Sequence, residues 1–170
     1  MELFEAMFTR RSVRKFLPTP VPAEIIEKIL RAAMSAPSAS DGRPWHFVVI
    51  DDRAKLDSVP EFHPYAQMFL GAPMAIVPCA DISSTAKNPA FWQQDMAAAT
   101  QNILLAVRAL GLGAVWVSAF PREDRVAGLR KMLNLPDHIF PLNIIPLGYT
   151  DVEQVAADRF DKTRIHHNGW

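Results

Sequence analysis

The sequence lacks several features that define whole classes of protein. Cys79 is the single cysteine among 170 residues, which excludes an internal disulfide framework and a metal site built from several cysteines. Lys plus Arg and Asp plus Glu number 18 each, so there is no net positive charge of the kind that binds nucleic-acid phosphates. The longest apolar runs, such as residues 72–80, are far shorter than the about 18 residues of a membrane-spanning helix. With no signal-peptide pattern at the N-terminus, we expect a cytoplasmic protein.

The apolar content is ample for one folded domain. Hydrophobic residues make up 49% of the chain, which excludes disorder and indicates a sizeable core with a slight apolar excess. We expect a single domain over residues 1–170, in which residues 150–170 form a polar, aromatic and basic tail. The tail ends in Trp170, and a terminal tryptophan indicates that the tail docks on another surface.

Hydrophobic periodicity predicts helices and strands in irregular alternation. Helices are predicted near residues 3–8, 22–36, 88–110 and 122–133, and strands at 45–50, 72–79, 114–118 and 143–149. Asn88 is the predicted N-cap of the long helix and Gly111 its terminator. Pro22 is expected at the first position of its helix, and Pro60 and Pro64 are expected to break residues 53–70 into short helical pieces. This pattern predicts an α+β fold rather than a regular doubly wound sheet.

The first segment suited to ligand chemistry is residues 10–15, which read Arg-Arg-Ser-Val-Arg-Lys. It carries four cations and one hydroxyl, and it has no acid. In an extended backbone Arg10, Ser12 and Arg14 project to the same side. Two guanidinium groups and a hydroxyl that converge there suit a phosphate monoester, although a solvated basic turn has the same composition.

Two further segments are rich in small residues. The loop over residues 36–45 joins a helix to a strand and contains two prolines and Gly42. Such a loop lets backbone amides approach a flat ligand, although a plain connection has the same composition. In residues 111–121 the glycines follow a helix and open a strand, whereas the dinucleotide-binding glycine loop follows a strand and opens a helix. That motif is therefore rejected.

Together the segments resemble the nitroreductase family. The resemblance rests on RRSVRKF, APSASDGRPWHFVVI, QNILLAVRALGLGAVWVSAFP, IIPLGY and a tail ending in HHNGW, in this order along nearly the whole chain. It implies an α+β fold with a central, mostly antiparallel sheet flanked by helices. It also implies an intertwined homodimer with two equivalent FMN sites at the subunit interface, where residues 150–170 dock on the partner subunit.

The resemblance also implies which residues contact FMN. Residues 10–14 match the contacts to its phosphate and ribityl chain, and Arg159 matches a second phosphate-binding cation. Residues 37–43 match a loop that the partner subunit places against the flavin, and residues 116–119 lie near the reactive edge of the ring. The expected contacts are Arg10, Arg11, Ser12, Arg14, Pro37, Ser38, Ala39, Ser40, Asp41, Arg43, Trp116, Val117, Ser118, Ala119 and Arg159.

Two positions depart from the family pattern. Asp41 stands where the family often has Asn, and Arg43 stands where Gln is common. An Asp41–Arg43 ion pair could hold the loop, or Arg43 could place positive charge near the pyrimidine side of the flavin. Both alternatives are open from sequence.

The resemblance implies an FMN-dependent oxidoreductase. Hydride would pass from NADH or NADPH through the flavin to a nitroaromatic, quinone or similar conjugated acceptor, and no catalytic residue or metal is expected because the flavin carries the redox chemistry. The alternative is a flavin-binding carrier or sensor without turnover. Residues 60–88 are the predicted cover over the flavin. Cys79 lies in an apolar strand and is expected to be an inert core thiol.

Overall fold

A computed structural model describes residues 1–83 and 89–170, so the predicted N-cap Asn88 lies outside the described residues. The helices are α1 (Leu3–Thr9), α2 (Ala23–Met34), α3 (Arg53–Phe62), α4 (Trp92–Ala109) and α5 (Glu123–Leu133). The strands are β1 (Trp45–Ile50), β2 (Met74–Asp81), β3 (Gly113–Ala114), β4 (Val117–Ser118), β5 (Ile139–Pro141) and β6 (Asn143–Gly148). Short 3-10 turns occupy Ala39–Asp41, Gln67–Leu70, Pro89–Phe91 and Lys162–Arg164.

The strands form one central sheet in the order β1-β2-β6-β3, with β5 paired to β2 and β4 paired to β6. Every pairing between these strands is antiparallel. A parallel bridge between Ser12 and Ala114 adds the N-terminal segment at the edge. The predicted α+β fold with a mostly antiparallel sheet is confirmed.

Helices cover both faces of the sheet because the central strands are apolar on both sides. Along β2, Ile76 packs in a cluster with α2 and α4, which includes Ile29 and Ile103. The neighbouring Val77 faces the opposite cluster, in which α3 and α5 contribute Leu56 and Leu129. This alternation follows from the two-residue period of a strand. The burial of Ile103 in the first cluster confirms α4 as a central core helix. The same cluster includes Ala114 of β3, the strand beside residues 10–14.

Several predicted boundaries are wrong. The predicted strand 114–118 is two short strands, β3 and β4, that are separated by Val115 and Trp116. Pro60 does not break its segment and lies inside α3, because the buried neighbours Leu56 and Val59 stabilise the helix by packing. Pro22 is the N-cap of α2 rather than its first residue. The three-residue strand β5 was missed, since it is too short to show a period.

Cys79 is fully buried in β2, and burial raises the pKa of its thiol to about 12. The reactive thiolate is therefore almost absent near neutral pH. We expect N-ethylmaleimide to leave the native protein unmodified at neutral pH and to modify one thiol per chain after unfolding in guanidinium. Mass spectrometry measures both results. Rapid modification of the native protein would contradict the inert-thiol prediction.

Both ends of the chain expose apolar side chains. The predicted helical stripe of α1 is present, but Leu3, Phe4 and Phe8 are each more than 60% exposed. In the tail, Phe160 is 68% exposed and Trp170 is fully exposed. Exposed apolar side chains of this size are typical of surfaces that contact a partner.

Candidate functional site

Residues 10–14 run in extended conformation along the sheet edge. The Val13 amide donates to the Ala114 carbonyl over 2.9 Å, and the Val13 side chain is buried whereas Ser12 and Arg14 are exposed. The segment approaches β3 closely because Gly113 has no side chain. A Cβ added at Gly113 would lie 2.6 Å from Val13 Cγ1. The alternation places Ser12 and Arg14 on the solvent side, as the sequence predicts.

At the N-terminal end of this segment lies a cavity of about 640 Å³, which we call the arginine cleft. Its lining residues are Met7, Phe8, Arg10, Arg11, Ala156, Ala157, Asp158, Arg159 and Phe160. Burial lowers the pKa of Arg10 below its ordinary value, and the positive charges of Arg11 and Arg159 lower it further. An anion bound in the cleft would offset the repulsion that Arg11 and Arg159 exert on the charge of Arg10.

Arg11 links this cleft to the end of α1. One terminal nitrogen, Nη1, donates to the carbonyls of Arg10 and Phe8 over 2.7 and 3.0 Å. The other, Nη2, is buried and has no hydrogen-bond partner among the described residues. A buried donor without a partner costs stability. The two hydrogen bonds of Nη1 hold the Arg11 guanidinium group in place at the wall of the arginine cleft.

Gln154 ties the tail to the same region. Its side-chain oxygen accepts from the Arg11 amide over 3.3 Å, and its Nε2 donates to the Leu112 carbonyl over 3.3 Å. Gln154 is buried. The tail thus enters the arginine cleft from a fixed point, which brings Arg159 beside Arg10.

At the other end of the segment lies a second cavity of about 780 Å³, which we call the β4 cavity. Its lining residues are Arg14, His63, Tyr65, Gln67, Met68, Val115, Trp116, Val117, Ser118 and Arg125. Arg14 therefore lies with the predicted contacts Trp116, Val117 and Ser118. Ala119 is fully buried and lines neither cavity.

The structure places Arg10 and Arg14 in separate cavities, and their convergence on one phosphate stays a prediction. They lie apart because four residues of extended backbone separate them by roughly 13 Å. Arg10 lies with Arg159 instead. An elongated ligand with an anionic end, lying along residues 10–14, would reach both cavities.

Sequence reasoning missed the residues that fix β4 from the other side of its cavity. His63 Nε2 lies 3.0 Å from the Ser118 carbonyl oxygen, and Arg125 Nη1 donates to the same oxygen over 3.2 Å. Burial lowers the pKa of the His63 imidazole below its ordinary value, and the Arg125 charge acts in the same direction. A neutral His63 donates through Nε2 to Ser118.

The sequence pointed only indirectly to His63 and Arg125, through their positions next to predicted site segments. His63 and Tyr65 flank Pro64 inside the segment predicted to cover the flavin. Four of its residues, His63, Tyr65, Gln67 and Met68, line the β4 cavity. Arg125 lies in the first turn of α5, directly after residues 116–121. Residues 84–88 of the predicted cover lie outside the described residues.

Residues 37–43 line neither of these two cavities and form a tightly held loop. Ser40, Asp41 and Arg43 have positive φ angles of 52°, 54° and 45°, a conformation that costs free energy for residues other than glycine. The Asp41 carboxylate accepts two hydrogen bonds of 2.6 Å from Arg43. Of the two alternatives open from sequence, the structure contains the ion pair.

A buried acid holds the other side of this loop. The Ala39 amide donates to Asp95 Oδ1 over 2.9 Å, and Asp95 in α4 is buried. The Arg43 amide donates to Ser38 Oγ over 3.0 Å. These bonds stabilise a strained loop that lines neither the arginine cleft nor the β4 cavity.

Two further kinds of feature, a metal-binding cluster and a membrane-spanning helix, can be sought among the described residues. Over residues 1–83 and 89–170, no cluster of three or more His, Cys, Asp or Glu side chains is arranged to hold a metal ion. Within the same ranges, no helix is long and apolar enough to cross a membrane.

Comparison with known proteins identifies the family. The nitroreductase family profile matches residues 7–65 and 57–149. A Methanothermobacter thermautotrophicus protein, named for NADH dehydrogenase and NAD(P)H nitroreductase activity, is 51% identical over 170 residues, which are 100% of this chain and 88% of that protein. The chain belongs to the nitroreductase family.

Solved structures agree with this assignment. A protein from Parabacteroides distasonis, named for the same activities, has a TM-score of 0.94 at 44% identity over 99% of this chain and 98% of that one. A nitroreductase-family protein from Desulfovibrio desulfuricans, crystallised with FMN, has a TM-score of 0.81 at 25% identity. The match covers 100% of this chain and 98% of that one. The fold assignment is confirmed, and the individual cofactor contacts stay predictions.

Proposed function

We propose that this protein is an FMN-dependent oxidoreductase that uses NADH or NADPH to reduce a nitroaromatic, quinone or similar conjugated acceptor. The observation that carries the proposal is the pair of cavities at opposite ends of residues 10–14. The arginine cleft is lined by three arginines, and the β4 cavity combines the cations Arg14 and Arg125 with the apolar side chains of Trp116 and Met68. The named activities of the Methanothermobacter relative and the FMN complex of the Desulfovibrio relative support it.

The donor set of the arginine cleft fits the phosphate end of FMN. Arg10, Arg11 and Arg159 bring three cations together against a single acid in the lining, Asp158. Arg11 Nη2 is a buried donor without a partner among the described residues. A doubly charged phosphate would both accept from these donors and offset the mutual repulsion of the cations.

The rest of the cofactor would lie along the extended segment. Ser12 would contact the ribityl chain, and Arg14 with Trp116, Val117 and Ser118 would border the ring. When bound, FMN supplies reversible hydride acceptance and return. The chain's own task is to hold and orient the reactants. His63 and Arg125 contribute by fixing the Ser118 carbonyl.

We further propose that the active form is a homodimer. The exposed apolar side chains of α1 and the tail, including Phe4, Phe8 and Trp170, provide surface for such a contact. The loop over residues 37–43 is rigidly held yet lines neither cavity of its own chain, so it is available to border the β4 cavity of a partner subunit. The end of the tail, which carries the fully exposed Trp170, would dock on the partner subunit.

A spectroscopic experiment tests the function directly. We expect the purified protein to be yellow and to lose its flavin absorbance on anaerobic addition of NADH or NADPH. The absorbance should return when a quinone or nitroaromatic is added. A colourless protein that takes up no added FMN would reject the proposal. Bound flavin that neither NADH nor NADPH bleaches would indicate a carrier or sensor.

A further inference from the structure

The β4 cavity has an unbalanced charge. Arg14 and Arg125 are the cations in its lining, no acid lines it, and the lowered pKa of His63 keeps that side chain neutral near pH 7. In the proposed cofactor site, Arg14 would border the flavin ring. The positive charge of Arg125 has no partner in the proposed cofactor site.

Arg125 differs from its neighbours around α5. Arg122 pairs with Asp124 at 3.5 Å, and Arg130 pairs with Asp137 at 2.9 Å. In the described part of the chain, no carboxylate lies within ion-pair distance of Arg125. The Nε atom of Arg125 is also buried without a hydrogen-bond partner there.

The guanidinium group of Arg125 is nonetheless held in place. Its Nη1 donates to the Ser118 carbonyl over 3.2 Å. Its central carbon lies 5.7 Å from the centre of the Tyr65 ring, a distance at which a cation–π interaction is favourable. A positioned, partly buried guanidinium with spare donors binds a planar carboxylate or a phosphate oxygen well.

We propose that Arg125 binds an anionic group, a carboxylate or a phosphate, of a reactant that enters the β4 cavity. This inference rests on the proposed oxidoreductase function and names its substrate class. The anion can belong to the acceptor or to the hydride donor, because both would reach the same ring. Arg125 therefore determines specificity through charge.

The test compares pairs of reactants that differ by one anionic group. Arg125→Gln removes the charge and keeps a donor for the Ser118 carbonyl, and Arg122→Gln is the matched control one turn away on the exposed surface. The acceptors are para-nitrobenzoate and its uncharged analogue para-nitrobenzamide. The hydride donors are NADPH and NADH, which differ by one phosphate. Stopped-flow measurement of flavin reduction by each donor and of flavin reoxidation by each acceptor gives one second-order rate constant, equivalent to kcat/KM, for each of the four reactants.

Removal of a charge-assisted hydrogen bond predicts about a tenfold loss. If the acceptor carries the anion, Arg125→Gln lowers kcat/KM for nitrobenzoate about tenfold relative to nitrobenzamide. If the donor carries it, the same loss falls on NADPH relative to NADH where the anion is the additional phosphate, and on both donors equally where it is the pyrophosphate that they share. Arg122→Gln changes neither ratio, and Arg125→Lys recovers part of the loss. Unchanged ratios in Arg125→Gln, with no common loss for the two hydride donors, would overturn the inference.

A measurement on the unmodified protein keeps the inference testable if Arg125→Gln does not fold. Salt screens charge interactions, so the preference for the anionic reactant should fall as ionic strength rises. A preference that is absent or insensitive to salt would overturn the inference. The proposed function fails by different results, namely no bound flavin or no turnover with any of the four reactants.

Discussion

Arg10→Ala should release FMN. In the arginine cleft Arg10 lies beside Arg11 and Arg159, and its pKa is lowered by burial and by those two charges. A phosphate that offsets the repulsion gains charge-assisted hydrogen bonds, which are worth about 1.5–3 kcal/mol each. Loss of one predicts about a 10- to 100-fold rise in the dissociation constant. Flavin fluorescence titration of the apoprotein measures it.

The stability of the apoprotein separates this electrostatic effect from misfolding. Without FMN, Arg10 is repelled by its neighbours, so Arg10→Ala should leave the melting temperature of the apoprotein unchanged or raise it. Arg31→Ala is the control. Arg31 is exposed on α2 and pairs with Glu27, so its loss should leave FMN affinity unchanged. If Arg10→Ala and Arg159→Ala both keep their flavin through dialysis, the phosphate assignment is wrong.

Gly113→Ala should weaken the fold and the cofactor site together. The added Cβ would lie 2.6 Å from Val13 Cγ1, 2.8 Å from Val13 Cβ and 2.9 Å from Thr150 Cγ2, so the edge segment must move. Overpacking of this kind costs about 1–3 kcal/mol. For a chain of this size each kcal/mol lowers the melting temperature by about 2–4 °C. Thermal unfolding of the apoprotein measures the loss.

The displaced segment also carries Ser12 and Arg14, so FMN affinity should fall in the same variant. Gly71→Ala provides the matched control, because a Cβ at Gly71 meets no heavy atom within 4 Å. Its melting temperature and FMN affinity should equal those of the unmodified protein. Equal melting temperatures for the two variants would contradict the close approach of Gly113 to Val13.

The predictable features are those encoded by local pattern. The long apolar run that ends at Gly111 predicts α4, and the apolar stretch around Val77 predicts a buried strand. Both depend on periodicity within about 20 residues. The alternation of Ser12, Val13 and Arg14 was also predictable, because it follows from the geometry of any extended backbone.

The remaining features depend on contacts between distant parts of the chain. His63 and Arg125 meet at the Ser118 carbonyl, and no local pattern encodes a contact between α3, β4 and α5. No local pattern predicts that this segment is divided between two cavities, with Arg10 beside Arg159 and Arg14 beside Trp116. Arg159 lies 149 positions after Arg10 in sequence and beside it in the fold.

The walls of the arginine cleft come from the two ends of the chain. On one side α1 buries only Ala6, and on the other Gln154 is the sole buried residue of 151–170. Chain ends with few buried contacts open at low free-energy cost. A ligand that spans the cleft binds only the closed form, so its binding energy opposes fraying at both termini. We therefore expect occupancy of the cleft to raise the resistance of both termini to proteolysis.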